Sequence, residues 1–171
     1  MIQSPSADNI SYSIEKLHGL GFIDYKLQPT LNGWYGSKFR KVSIENIRMI
    51  LAGYQHGANI LDLITIACFI QGSAKLGIKK QNYMPRNPYG VTAEKLEFYF
   101  RRVVADEHIE YIFMLDEIQN NVMLYGEKNP NVIKEWCDEN NVSYYHLAKI
   151  IEARDEIILD MLNIGLNPFY N

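Results

Sequence analysis

Two stretches of the sequence carry residue types that hold nucleotides. Gly72-Ser-Ala-Lys-Leu-Gly77 has the glycine spacing of a phosphate loop, whose backbone N–H groups cradle phosphates while a following Lys and Ser/Thr reach the terminal phosphate and magnesium. Ile78 and Lys79 stand where that pair is needed, and the residues before Gly72 read as a helix, not the strand such a loop requires. Val103-Val-Ala-Asp-Glu-His-Ile109 imitates an acidic box, in which carboxylates hold magnesium and orient water, but lacks one residue between Glu107 and His108. Asp106 reads better as a helix cap, with Glu107 in the first turn. His18, His56, His108 and His146 fall one per segment without a second ligand three or four residues away, which argues against a metal site. Cys68 and Cys137 lack the short spacing of a zinc site or a disulfide framework and point to a reducing, intracellular setting. No Ser or Cys stands in a nucleophile elbow. Neither covalent nor acid–base chemistry is expected of this chain, and no metal or cofactor.

Charge is the more informative signal. The 171 residues carry 17 Lys+Arg and 20 Asp+Glu, a net −3, so the molecule as a whole is not a polyanion-binding cation. Between Lys75 and Arg102, however, seven basic residues face two acidic ones, a local +5, and residues 106–139 reverse this with nine acidic and two basic, a local −7. Phosphate backbones reward Lys and Arg through counterion release, and Tyr83 and Tyr89 lie in the basic stretch for stacking. Lys75, Lys79, Lys80, Arg86, Arg101 and Arg102 are therefore candidate nucleic-acid contacts, balanced against a merely solubilising loop. Lys38, Arg40 and Lys41 form a second, smaller cluster with the same two readings.

The elements that position these residues are mostly helical. Apolar residues at 47% and charged residues at 22% are ordinary globular values, and a chain of this length can bury a sizeable core. Ser6 caps a helix over residues 7–20, closed by Gly19 and Gly21. Phe22 to Gly36, with Pro29 and Gly33, predicts a short extended hairpin. Ser43 caps a helix ending at His56-Gly57, and Asn59 caps one to Gln71 that is apolar on nearly every side and must be wrapped by others. Gly72 to Gly90 reads as a long basic loop. Further helices are expected over 92–104, 106–125 and 130–140, and a last one from Ser143 to Gly165. No apolar run reaches a membrane span, and the first residues lack the regions of a signal peptide. The fold class is all-α: a helical bundle over residues 41–171, preceded by a partial winged-helix segment over 1–40.

The order of segments resembles the helicase-associated region of DEAH-box helicases. Pro5 to Asp24 is similar to the last helix of that family's winged helix, with Leu17, Leu20, Gly21 and Asp24 in its Leu-x-x-Leu-Gly-hydrophobic-hydrophobic-Asp ending. Ile44-Glu-Asn-Ile-Arg-Met-Ile-Leu51 resembles its Arg-Met-Ile-Leu helix, and Leu61 to Phe69 resembles the buried helix that follows. Glu135-Trp-Cys-Asp-Glu-Asn140 and Ile151-Glu-Ala-Arg-Asp-Glu-Ile157 resemble the Trp-Cys and Ala-Arg-Asp segments that close the family's ratchet-like bundle. The family's Leu-Thr-x-x-Gly turn is stretched here as Leu27-Gln-Pro-Thr-Leu-Asn-Gly33, and Gly72 to Gly90 matches no family pattern.

The resemblance implies a piece of a larger helicase, close in wording to those of large DNA viruses. Its motor domains would hold ATP and magnesium, and this piece would pack against them and touch single-stranded RNA or DNA weakly while hydrolysing nothing by itself. The parent would unwind RNA, or RNA and DNA. Two other classes compete: a free-standing winged-helix regulator, whose recognition helix should be basic although the helix before the hairpin carries only Lys16 against Asp8 and Glu15, and an all-helical adaptor binding protein through its acidic face.

Overall fold

Ser6 is extended and its side chain accepts the Asn9 N–H at 3.3 Å, which starts α1 (Ala7–Gly19) with Asp8 in the first turn. The helix stops because Gly21 takes a left-handed φ of 74°, letting its N–H reach the His18 carbonyl at 2.9 Å while the Phe22 N–H reaches that of Leu17 at 2.9 Å. The computed structural model describes residues 5–76, 112, 116, 130–139 and 143–169. Among these, six helices and almost no strand are present: α1, α2 (Leu31–Gly36), α3 (Ile44–Gln55), α4 (Ile60–Leu76), α5 (Pro130–Glu139) and α6 (Tyr144–Asn163). The all-α expectation holds for them.

The hairpin does not. Only Ile23 and Pro29 pair, as an isolated antiparallel bridge, and Leu31–Gly36 is helical. The reason is Thr30, whose hydroxyl donates to the Gly21 carbonyl at 2.6 Å and accepts the Gly33 N–H at 3.1 Å, tying the end of α1 to the start of α2. Thr30 and Gly33 thus stand at a Thr-x-x-Gly spacing bridged by this cap, with Pro29 before it. Gly33 is required there, since a Cβ would overlap the Phe22 carbonyl oxygen. The start of the stretch expected as a basic loop is helical instead: α4 continues through Leu76, so Lys75 lies on a helix. The helix expected over 92–104 lies outside the described residues, as does that over 106–125 except for Ile112 and Asp116, both of which are helical.

Contacts divide the chain into two compact units, Met1–Ile60 with Ile157–Asn171, and Leu61–Glu156. In the first, Phe22, Phe39, Ile47, Ile50, Leu51, Ile157 and Met161 are buried. Lys16 of α1 pairs with Glu45 of α3, and Gln55 Nε2 donates to Asn32 Oδ1 at 2.9 Å, joining α3 to α2. Leu17, Phe22, Ile23, Pro29, Ile44 and Ile47 surround a small apolar cavity of about 250 Å³. In the second unit Ile64, Thr65, Ala67, Cys68 and Phe69 of α4 are buried, while Ile70 is 43% exposed. Ile133, Trp136 and Cys137 of α5 and Leu147 and Ile150 of α6 are buried at helical spacing.

Candidate nucleic-acid interface

Lys38, Arg40 and Lys41 follow α2 on an exposed link, held down by the buried Phe39 between the first two. Lys38 Nζ stands 5.2 Å from the centroid of the Trp34 indole, one helical turn earlier, in a cation–π contact. Arg40 donates from Nε at 3.1 Å and from Nη2 at 2.9 Å to Asp160 Oδ1, and its backbone N–H reaches Asp160 Oδ2 at 3.3 Å. The Asp160 side chain is only 7% exposed while that of Arg40 is 65% exposed, so a buried carboxylate fixes the direction of an outward guanidinium. Trp34, Lys38, Arg40, Asp160, Asn163 and Ile164 line a shallow cleft of about 510 Å³.

The structure therefore brings together Lys38 and Arg40 and adds two residues that sequence reasoning missed, Trp34 and Asp160. Trp34 was legible only as a helical partner of Lys38 four residues on, a relation hidden when the segment is read as extended. Lys75 lies on α4 in the second unit. Lys79, Lys80, Arg86, Arg101 and Arg102 lie outside the described residues.

Gly72 to Leu76 do not fit a nucleotide's phosphates. They continue α4, where backbone N–H groups are spent on carbonyls one turn back and cannot form a cradle. The acidic-box imitation lies outside the described residues. In the second unit, Arg154 Nε donates to Thr65 Oγ1 at 3.0 Å, and Thr65 Oγ1 donates to the Leu61 carbonyl at 2.8 Å, so the arginine of the Ala-Arg-Asp segment braces α6 against α4. Burial pushes the Arg154 guanidinium down and the Asp62 carboxyl up, the latter helped by Asp116 and opposed by Arg154. Burial also raises the Cys68 and Cys137 thiols to about 12, leaving both protonated and unreactive at neutral pH. No helix among the described residues is long and apolar enough to cross a membrane.

Trp136 and Cys137, Ile50 and Leu51, and Ile64 through Phe69 carry much of the likeness in sequence noted above, and most of them are core residues. No family model matches the chain. It is 26% identical over 191 residues to the protein named "Putative RNA Helicase B962L" in a Namibian warthog isolate of African swine fever virus. The proteins of that name from a South African tick isolate and a Kenyan pig isolate are 26% and 24% identical over 190 residues. These alignments take in 99–100% of this chain and 20% of each relative, so the chain spans about a fifth of the length of the curated relatives it matches. The chain is thus homologous, from end to end, to one portion of proteins that carry the name "Putative RNA Helicase B962L" in a large DNA virus.

Proposed function

We propose that this chain is the helicase-associated portion of a DEAH-box, ATP-dependent RNA or RNA/DNA helicase that works inside the cell. It contacts the single strand and packs against motor domains of the same parent chain. Those motor domains supply ATP and magnesium; this portion turns over no ATP by itself. The observation that carries the reading is the end-to-end similarity to proteins named as RNA helicases. The exposed Trp34, Lys38 and Arg40 cleft adds a surface of the right chemistry, an aromatic ring among cations. Lys41, Lys75, Lys79, Lys80, Arg86, Arg101 and Arg102 are further proposed strand contacts by their charge alone.

Titration of the purified chain with fluorescent single-stranded RNA and DNA over a range of salt tests this. Binding is expected without sequence preference, with Kd in the non-specific range of about 10⁻⁴ to 10⁻⁶ M at physiological salt, weakening as salt rises. Charge reversal at Lys79 and Lys80 should flatten the salt slope. Binding unchanged by that reversal confines the contact to the cluster of Lys38, Arg40 and Lys41, and no binding at any salt favours a protein-binding adaptor.

A further inference from the structure

We infer that Trp34 is a stacking platform for one unpaired nucleobase, with Lys38 and Arg40 meeting the phosphates on either side of it. The inference rests on the nucleic-acid reading above and adds to it a residue, a ligand moiety and a reason for preferring single strands.

Tryptophan is highly buried on average, and Trp136 of this chain, at 8% exposure, behaves so. Trp34 is 49% exposed, and the cause is not a loose helix. Its helix is pinned at three points, Thr30 Oγ1 on the Gly21 carbonyl, Gly33 closed on the Phe22 backbone and Asn32 bonded to Gln55, and is closed at its C-terminus by Ser37 Oγ donating to the Trp34 carbonyl at 2.8 Å. Tyr35 meets the indole edge-on, with ring centroids 5.1 Å apart. The backbone that carries the ring is thus fixed, and the ring is left half exposed to water. Stacking on such a ring tolerates any base, because every base presents a π-face, but excludes a paired one whose faces are already covered.

The cations around it suit a strand. Lys38 lies over the indole on a flexible four-carbon stem, so its ammonium can leave the ring for a phosphate as a base arrives. Arg40 cannot swing as freely, since Asp160 holds its Nε and Nη2, and it presents an oriented guanidinium at the cleft wall. With Asp160 offsetting one of the two cations, the cleft carries little net charge. Discrimination in favour of a strand bearing bases must then come from stacking. The cleft volume of about 510 Å³ is within the usual range for small-ligand sites, and Asn163 at its rim offers an amide to a base edge.

The test compares a short single strand of thymidylates with the same strand carrying abasic sites throughout, equal in phosphates and lacking every base. Stacking predicts that the thymidylate strand binds the unaltered chain about tenfold more tightly and alone quenches indole emission, with the buried Trp136 as a constant background. Trp34→Ala should bring the two strands to equal affinity, and Trp34→Phe, which keeps a smaller ring, should retain part of the difference. Because Trp34 is the exposed one of the two tryptophans, quenching of the unaltered chain places the stack there whether or not either variant folds. Equal binding of both strands would overturn the platform while leaving the phosphate contacts in place. Failure of both strands to bind even at low salt would overturn the platform together with the nucleic-acid reading.

Discussion

Replacing Gly33 with Ala tests the least expected element of the fold. A Cβ at this position would overlap the Phe22 carbonyl oxygen and stand 2.9 Å from its carbonyl carbon, both backbone atoms that have little freedom to yield. The same carbonyl accepts the Thr30 N–H at 3.0 Å, so moving it away loosens that bond, and moving α2 away breaks the cap between Thr30 Oγ1 and the Gly33 N–H. Overpacking costs about 1–3 kcal/mol and a lost cap about 1 kcal/mol, which gives roughly 2–4 kcal/mol in all. For a chain of this size each kcal/mol lowers the melting midpoint by about 2–4 °C, so a fall of roughly 5–15 °C is expected in far-UV circular dichroism. Two neighbouring glycines calibrate the result. Gly36→Ala brings a Cβ to 3.1 Å from the Phe22 ring and 3.4 Å from Ile47 Cγ2, side chains that can shift, and should cost about 1 kcal/mol or less. Gly19→Ala, at the end of α1 with nothing within 4 Å, should be neutral or stabilise by up to about 1 kcal/mol. A Gly33→Ala chain that melts with Gly19→Ala would refute the close approach of α2 to Phe22, and with it the placement of Trp34.

Ile64→Asp places an unpaired carboxylate at a fully buried position of α4 and should cost about 3–5 kcal/mol, a large share of a typical domain's stability; an unchanged melting curve would show that α4 is not enclosed there. Burial raises Cys68 and Cys137 from 9.0 to about 12, so the unfolded chain loses these protons at lower pH than the folded one. Stability held below pH 9 should therefore decline as pH rises toward 12, and Cys68→Ala with Cys137→Ala should lessen that decline in alkaline melts. At neutral pH a thiol reagent should label neither cysteine until denaturant is added; prompt labelling of the folded chain would contradict their burial.

The sequence by itself determined the elements whose signals are local. Ser6 and Ser43 each cap a helix by accepting an N–H three residues on, Gly21 supplies the left-handed turn that ends α1, and Pro130 opens α5. Such contacts lie within one turn of chain, so residue type and spacing suffice to foresee them. The apolar character of α4 was legible for the same reason. What only the tertiary structure decided is the segment from Phe22 to Gly36 and the use made of Arg40. A six-residue helix is too short to form alone, and α2 exists because the end of α1 offers Thr30 a carbonyl and Phe22 leaves room only for a glycine. Arg40 reads in sequence as one more free cation, yet its partner Asp160 lies 120 residues away, and Arg154 finds Thr65 across 89. Contacts of that separation carry no local signature, because folding, not spacing along the chain, brings the two residues together.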